Sequence, residues 1–242
     1  MEEIDKLEIT WLGQGSLLFA SGTTRILVDP FLSDIVEQKQ GFKRLIESLL
    51  TIEQLQPSYV FISHNHIDHF DPIALPEIHK YYPNVQIIGP KSVIKMANEH
   101  RFSSAILKEV EIGASLMFGD IGMTITPAFH ADPYSVGAII ESNNRVVYHT
   151  ADTLLNISLI EEVKRLSSKK IDILLSCIIG KSGNMCWSEA INLAKQLNVD
   201  TANPMHYGNF AENTENPELF ISGCLNEGIQ AKELVPVKPT PF

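Results

Sequence analysis

Apolar and polar positions alternate with a period of two along three short stretches at the start of the chain. Residues 7–12, 16–20 and 24–28 each read as a strand, because successive side chains of an extended chain point to opposite faces. Gly13-Gln14-Gly15 breaks the first, Ser21-Gly22-Thr23 joins the other two as a hairpin, and Asp29-Pro30 ends the third. The period then lengthens. A polar connection at 36–40 leads to helical spacing over 42–50, and the unbroken apolar run 59–62 reads as a buried strand. Asp71 and Pro72 supply an N-cap and a first-turn proline for a helix to Tyr82. Residues 85–88 form a further strand, and Pro90 opens a helix to about His100.

Strand spacing returns at 105–111, 114–118 and 123–127, with turns at Gly113 and Gly119-Asp120. Residues 136–141 and 145–149 form a hairpin about Ser142-Asn143-Asn144. After it come a helix at 154–166, a buried strand at 171–179, a helix at 187–197, an inner strand at 201–205 and a helix at 217–225. Pro236 confines the tail from Glu233 to a sheet edge. The grouping is strands, then β/α units, then strands and β/α units again. Two such halves stack as an α/β (α+β) sandwich with helices outside, a four-layer αββα arrangement. No repeat, linker or composition break divides the chain, so residues 1–242 read as one domain.

Charge narrows the function. Nineteen Lys and Arg face 29 Asp and Glu, a net charge of −10 with no basic run, which argues against a nucleic-acid partner. Cys177, Cys186 and Cys224 are too few and scattered for a disulfide framework or a cysteine-based zinc site. The acidic N-terminus has no apolar signal segment, and no window approaches 18 apolar residues. The expectation is a cytoplasmic protein with no membrane partner, acting on a small-molecule substrate and compatible with a homo-oligomer.

The densest chemistry follows the buried strand. His64-Asn65-His66-Ile67-Asp68-His69 packs three imidazoles and a carboxylate into six residues, a donor set for zinc, manganese or iron. His130, His149, Asp152 and His206 also fall at strand ends, where side chains can converge on one sheet edge, whereas His79 and His100 fall inside helices.

The ordered set His64-x-His66-x-Asp68-His69, then His130, Asp152 and His206, resembles that of the metallo-β-lactamase fold hydrolases, over essentially the whole chain. Trp11-Leu12-Gly13, Asp29-Pro30, His130-Ala-Asp-Pro and the runs at 179–185 and 204–217 are similar to the L-ascorbate-6-phosphate lactonase (UlaG-type) branch. Relatives commonly carry His after Trp-Leu-Gly; this chain has Gln14.

The resemblance implies the αββα sandwich and two divalent metal ions, zinc or manganese with iron as a third candidate. His64, His66 and His130 would hold one ion, and Asp68, His69 and His206 the other, with Asp152 bridging. Asp68 would also be catalytic, orienting a metal-bridging water and accepting its proton. Gln14 and His149 would stand behind the ligands, although His149 reads equally well as a plain surface histidine. Lys181, Ser182 and Asn184 follow a buried strand and are candidates for binding an anionic group, and Tyr134 and Tyr207 adjoin ligand positions and are candidates for the pocket wall. The implied activity is a lactonase-like hydrolase of a small anionic, sugar-phosphate-like substrate. A phospholipase D-like phosphodiesterase is the second reading, and a non-catalytic metal-binding regulatory protein the third.

Overall fold

The alternating stretches at the start of the chain are antiparallel strands β1 (Glu8–Gly13), β2 (Ser16–Ser21) and β3 (Thr24–Val28). The computed structural model describes residues 6–46 and 50–242. Helices α1 (Ile35–Gln40) and α2 (Ile52–Leu55) precede β4 (Tyr59–Phe61), α3 (Ala74–Tyr81), β5 (Gln86–Gly89) and α4 (Lys91–Glu99). A 3-10 turn at Ser104–Ile106 enters β6 (Leu107–Glu109), followed by β7 (Ser115–Phe118), β8 (Ile121–Pro127), β9 (Val136–Ser142) and β10 (Arg145–His149). The chain continues through α5 (Ile157–Leu166), β11 (Ile173–Cys177), α6 (Trp187–Leu197), β12 (Thr201–Met205) and α7 (Pro217–Asn226) to β13 (Gln230–Ala231) and β14 (Thr240–Pro241).

Among the described residues these strands make two mixed seven-stranded sheets, ordered β14-β1-β2-β3-β4-β5-β6 and β13-β12-β11-β10-β9-β8-β7. In each, antiparallel pairs give way to parallel ones, at β3–β4 and at β10–β11. The two-residue period sorts the faces. Ile9, Trp11, Leu17, Phe19, Ile26 and Val28 join the buried cluster that also contains Met123, Ile125, Ala138 and Val147 of the other sheet. Their neighbours Leu18, Leu27 and Val60 face the opposite way and pack with Leu75 and Ile78 of α3 and Val93 and Ala97 of α4. Helices α5, α6 and α7 cover the far side of the second sheet through contacts with β8, β11 and β12. The layers are helix, sheet, sheet, helix, as the grouping of elements predicts.

Four expectations need correction. The helix expected over 42–50 is irregular at 42–46, and 47–49 lie outside the described residues. The helix sits upstream instead, in α1, where Gln38 Nε2 donates to Asp34 Oδ1 at 2.6 Å and Gly41 ends it at φ +78°. The helix expected from 154 begins at 157, because the Asn156 side chain accepts from the Leu159 amide and caps it there. The tail makes its edge strand at β14, pairing with β1, and not at Glu233–Pro236. The helix expected to open at Pro72 begins at Ala74, with Ile73 at its N-cap position; Asp71 Oδ1 accepts from the amides of Ile73 and Ala74, both at 2.9 Å, and so ties down the turn that leads into it.

Candidate metal centre

Six segments reach one edge of the paired sheets. Gln14 lies in the β1–β2 turn, Asp29 after β3, the His64–His69 run after β4, His130 after β8, Asp152 after β10 and His206 after β12. Gln14, Asp29, Ala151, Ser182 and His206 all have φ between 45° and 62°. Left-handed backbone at a non-glycine residue costs about 1–3 kcal/mol, so this strain is concentrated where the chain turns side chains inward. Gly15 is required for a different reason. A Cβ there would stand 2.8 Å from His69 Cε1, so only glycine lets the ring lie against the turn.

Two groups of donor atoms result. His64 Nε2 and His130 Nε2 each lie 3.1 Å from His66 Nδ1. Imidazole nitrogens about 2.05 Å from a tetrahedral zinc ion stand roughly 3.3 Å apart, so the spacing matches that of ligands around one ion. In the second group His69 Nε2 and His206 Nε2 are 3.2 Å apart, with Asp68 Oδ2 at 3.7 and 3.5 Å from them. Asp152 lies between the groups. Its Oδ1 is 3.2 Å from His206 Nε2 and 3.5 Å from His69 Nε2, while its Oδ2 is 3.7 Å from His130 Nε2.

Hydrogen bonds fix which ring atoms face inward. Ser63 Oγ donates to Asp29 Oδ2 at 2.7 Å, so at 3.0 Å from His64 Nδ1 it accepts that ring's proton. His69 Nδ1 donates to the same Asp29 oxygen at 2.9 Å, and His130 Nδ1 donates to the Gly183 carbonyl at 3.0 Å. All three rings therefore turn Nε2 into the cluster, the arrangement by which carboxylates and carbonyls orient metal-binding imidazoles. Asp29, which also accepts from the Ser63 amide at 2.7 Å, is a functional residue that the sequence reading used only as a strand end and a motif.

The donor set fits divalent ions on its electrostatics as well. Ring nitrogens 3.1 Å apart repel through their lone pairs unless a cation or proton lies between them. Burial alone would lower His69 and His206, yet Asp152 with Asp29 and Asp68 raises His69 to about 9, and Asp152 with Asp68 raises His206 to about 10. Burial would raise Asp68 and Asp152, but the same histidines hold both below the usual carboxylate range. The second group thus draws positive charge into a buried pocket. Burial and then the His69 charge hold His64 well below an ordinary histidine, which keeps that ring neutral. The buried Asp152 Oδ1 has His206 Nε2 as its polar neighbour at 3.2 Å, so this oxygen faces positive charge, as an acceptor for a cation would.

A cavity of about 340 Å³ opens onto both groups. Phe42, Ile67 and Phe210 give it an apolar wall, and Gln40, Asn65, Ser182 and Asn213 bring polar groups. Among the described residues no Lys or Arg lines it.

The expected substrate contacts therefore divide. Ser182 and Asn184 line the cavity, although Asn184 Nδ2 is already engaged with Asp152 Oδ2 at 2.8 Å and so positions that carboxylate. Lys181 instead reaches the Glu212 carbonyl at 3.3 Å, its charge turned to the exterior. Tyr134 lines a separate groove beside Lys91, and Tyr207 is core, stacked on Trp11 at 5.1 Å with its hydroxyl donating to Glu233. His149 is no surface residue. It is buried, and burial lowers it to about 4 despite the nearby Asp29 charge. Gln14 stands in the second group itself, its Nε2 2.8 Å from Asp68 Oδ2 and 3.2 Å from His206 Nε2.

Known proteins share this frame. The sequence profile of the beta-lactamase superfamily domain matches residues 24–207. A UPF0173 protein of Pyrococcus furiosus is 30% identical over 215 residues, covering 88% of this chain and 89% of the relative. A UPF0173 metal-dependent hydrolase of Deinococcus radiodurans is 26% identical, covering 97% and 99%. The solved structure of a metallo hydrolase from Ignicoccus hospitalis superposes with a TM-score of 0.77 at 21% identity, covering 98% of each chain. A fold of two mixed sheets between helices, its strand ends furnished with these histidines and aspartates, and a match across three quarters of the sequence lead to one assignment: the chain belongs to the beta-lactamase superfamily, among the UPF0173 proteins.

Proposed function

We propose that the chain is a two-ion, metal-dependent hydrolase, lactonase-like in acting on an ester bond of a small, hydrogen-bonding substrate. The observation that carries this reading is Asp152, which offers one carboxylate oxygen to each group of ligands. Such a carboxylate offsets the repulsion of two cations about 3.5–4 Å apart. His64, His66 and His130 would hold one ion, and Asp68, His69 and His206 the other. Bound there, divalent ions supply acidified water and neutralise negative charge that develops on a substrate oxygen.

The chain's own residues do the rest. Asn184 holds Asp152 between the two groups, where it would bridge two ions, and Asp29 and Ser63 hold His69 and His64. Asp68, about a fifth exposed and kept ionised by His69 and His206, would orient a water at the cavity floor and take its proton. The apolar wall and uncharged polar groups suit a compact hydroxylated ester or lactone. With no cationic side chain on the wall among the described residues, an anionic substituent would find its countercharge in the ions themselves.

The test is a panel of lactones, carboxylic esters and phosphodiesters offered to protein reconstituted with zinc, manganese or iron(II). Turnover of lactones or esters above that of phosphodiesters is the expected result. Preference for phosphodiesters replaces the substrate class, and no turnover at full metal loading returns the chain to a metal-binding, non-catalytic role.

A further inference from the structure

Gln14 occupies an unusual position for a side-chain amide. Its backbone carbonyl accepts from both the Trp11 indole at 2.9 Å and the His206 amide at 2.9 Å, which pins the residue between the β1–β2 turn and the ligand-bearing loop after β12. Its side chain is fully buried, with the amide nitrogen close to Asp68 Oδ2 and His206 Nε2, two donor atoms of the second group. The amide oxygen, at the other end, is buried with no hydrogen-bond partner. An unsatisfied buried carbonyl is costly, and this one is a half-turn of a single bond away from the cluster.

We propose that Gln14 is a further protein ligand of the second ion, through its amide carbonyl oxygen, an inference that rests on the two-ion reading above. Without an ion the amide NH2 faces Asp68, to which it donates. A cation among Asp68, His69 and His206 reverses the preference, because amide protons would point at positive charge whereas the carbonyl dipole points its negative end there. The half-turn then gives the oxygen a partner of higher energy than any neutral hydrogen bond. Its position 2.8 and 3.2 Å from the neighbouring donor atoms is ordinary for adjacent ligands on one ion.

The consequence is an asymmetric centre. The first group offers three imidazole nitrogens and one Asp152 oxygen, a set suited to zinc. The second would offer oxygens from Asp68, Asp152 and Gln14 beside two imidazoles. A larger, oxygen-richer set favours harder ions such as manganese or iron(II) relative to zinc.

Metal-stripped full-length protein and the variants Gln14→Met and Gln14→Glu are titrated with manganese and, separately, with zinc, by calorimetry and chelator competition. Wild type is expected to take two ions. Gln14→Met should bind the first as wild type does and the second manganese about 10–100-fold more weakly, with a smaller loss for zinc. Gln14→Glu, which keeps an oxygen but cannot donate, should hold the second ion at least as tightly as wild type. Equal weakening in both variants would show that donation to Asp68 is what matters and overturn the proposal, as would wild-type affinity in Gln14→Met. A single ion in wild type would overturn the two-ion reading and this inference with it. Should Gln14→Met lose the first ion as well, a crystal structure of the manganese-loaded wild type decides. A Gln14 side-chain atom about 2.2 Å from the second ion supports the proposal, and an amide left on Asp68 alone refutes it.

Discussion

Asp29 and His69 are joined by a 2.9 Å contact between Oδ2 and Nδ1, with both side chains essentially sealed from solvent. The two residues are 40 positions apart and sit at the ends of different strands, yet the bond determines which face of the His69 ring looks into the cluster. Asp29→Asn keeps the shape but removes the charge that helps raise His69. Affinity for the second ion should fall about 10–100-fold with the first nearly unchanged, measured by chelator competition.

Metal-free stability should peak near pH 6.5. His69 and His206 are raised to about 9 and 10, against about 6.5 in the unfolded chain. A raised histidine contributes its stability fully below the unfolded value and loses it as pH climbs through the folded one. His149 is lowered to about 4, so its contribution is present above 6.5 and lost as pH falls towards 4. The melting temperature of stripped protein should therefore decline on both sides. Added metal should abolish the alkaline decline, because ions replace the protons on His69 and His206.

Gly15→Ala places a methyl group 2.8 Å from His69 Cε1. Either the ring or the turn must move, at a cost of about 1–3 kcal/mol in a packed site. Thermal denaturation of stripped protein should register the cost, and metal titration should show the second ion weakened more than the first.

Lys181→Ala should leave kcat/KM within about twofold, since its ammonium group is directed to the Glu212 carbonyl and not to the cavity. Asn184→Leu removes the donor on Asp152 Oδ2 and should lower kcat/KM about 10–100-fold. Steady-state kinetics on the best ester of the panel separates the two.

Much of this was legible in the sequence. Period-two alternation marked β1, β2, β3, β9 and β10, and the resemblance of the His64-x-His66-x-Asp68-His69 set grouped seven residues that the fold does bring to one edge. What stayed hidden depends on tertiary contacts. Gln14 was expected behind the ligands, because nothing local says that a turn with φ +51° aims its side chain into the cluster. Asp29 read as a strand terminator because its partners, Ser63 and His69, lie more than 30 residues away. Tyr207 adjoins His206 in sequence, but the left-handed backbone of His206 sends the two side chains apart, one to the cluster and the other onto Trp11. The helix at 35–40 was missed because Gly41, which ends it, separates it from the more apolar residues downstream.

The central claim is that two ions, shared through Asp152, are both needed for hydrolysis. Its most direct test is turnover measured against ions bound per chain, in wild type and Asp152→Ala, during stepwise reconstitution of the stripped protein. Activity should rise with uptake of the second ion, and Asp152→Ala should remain at least 100-fold below wild type at every loading, a loss of about 2.7 kcal/mol or more of transition-state stabilisation. Full activity at one ion per chain, or a wild-type rate in Asp152→Ala, would contradict it.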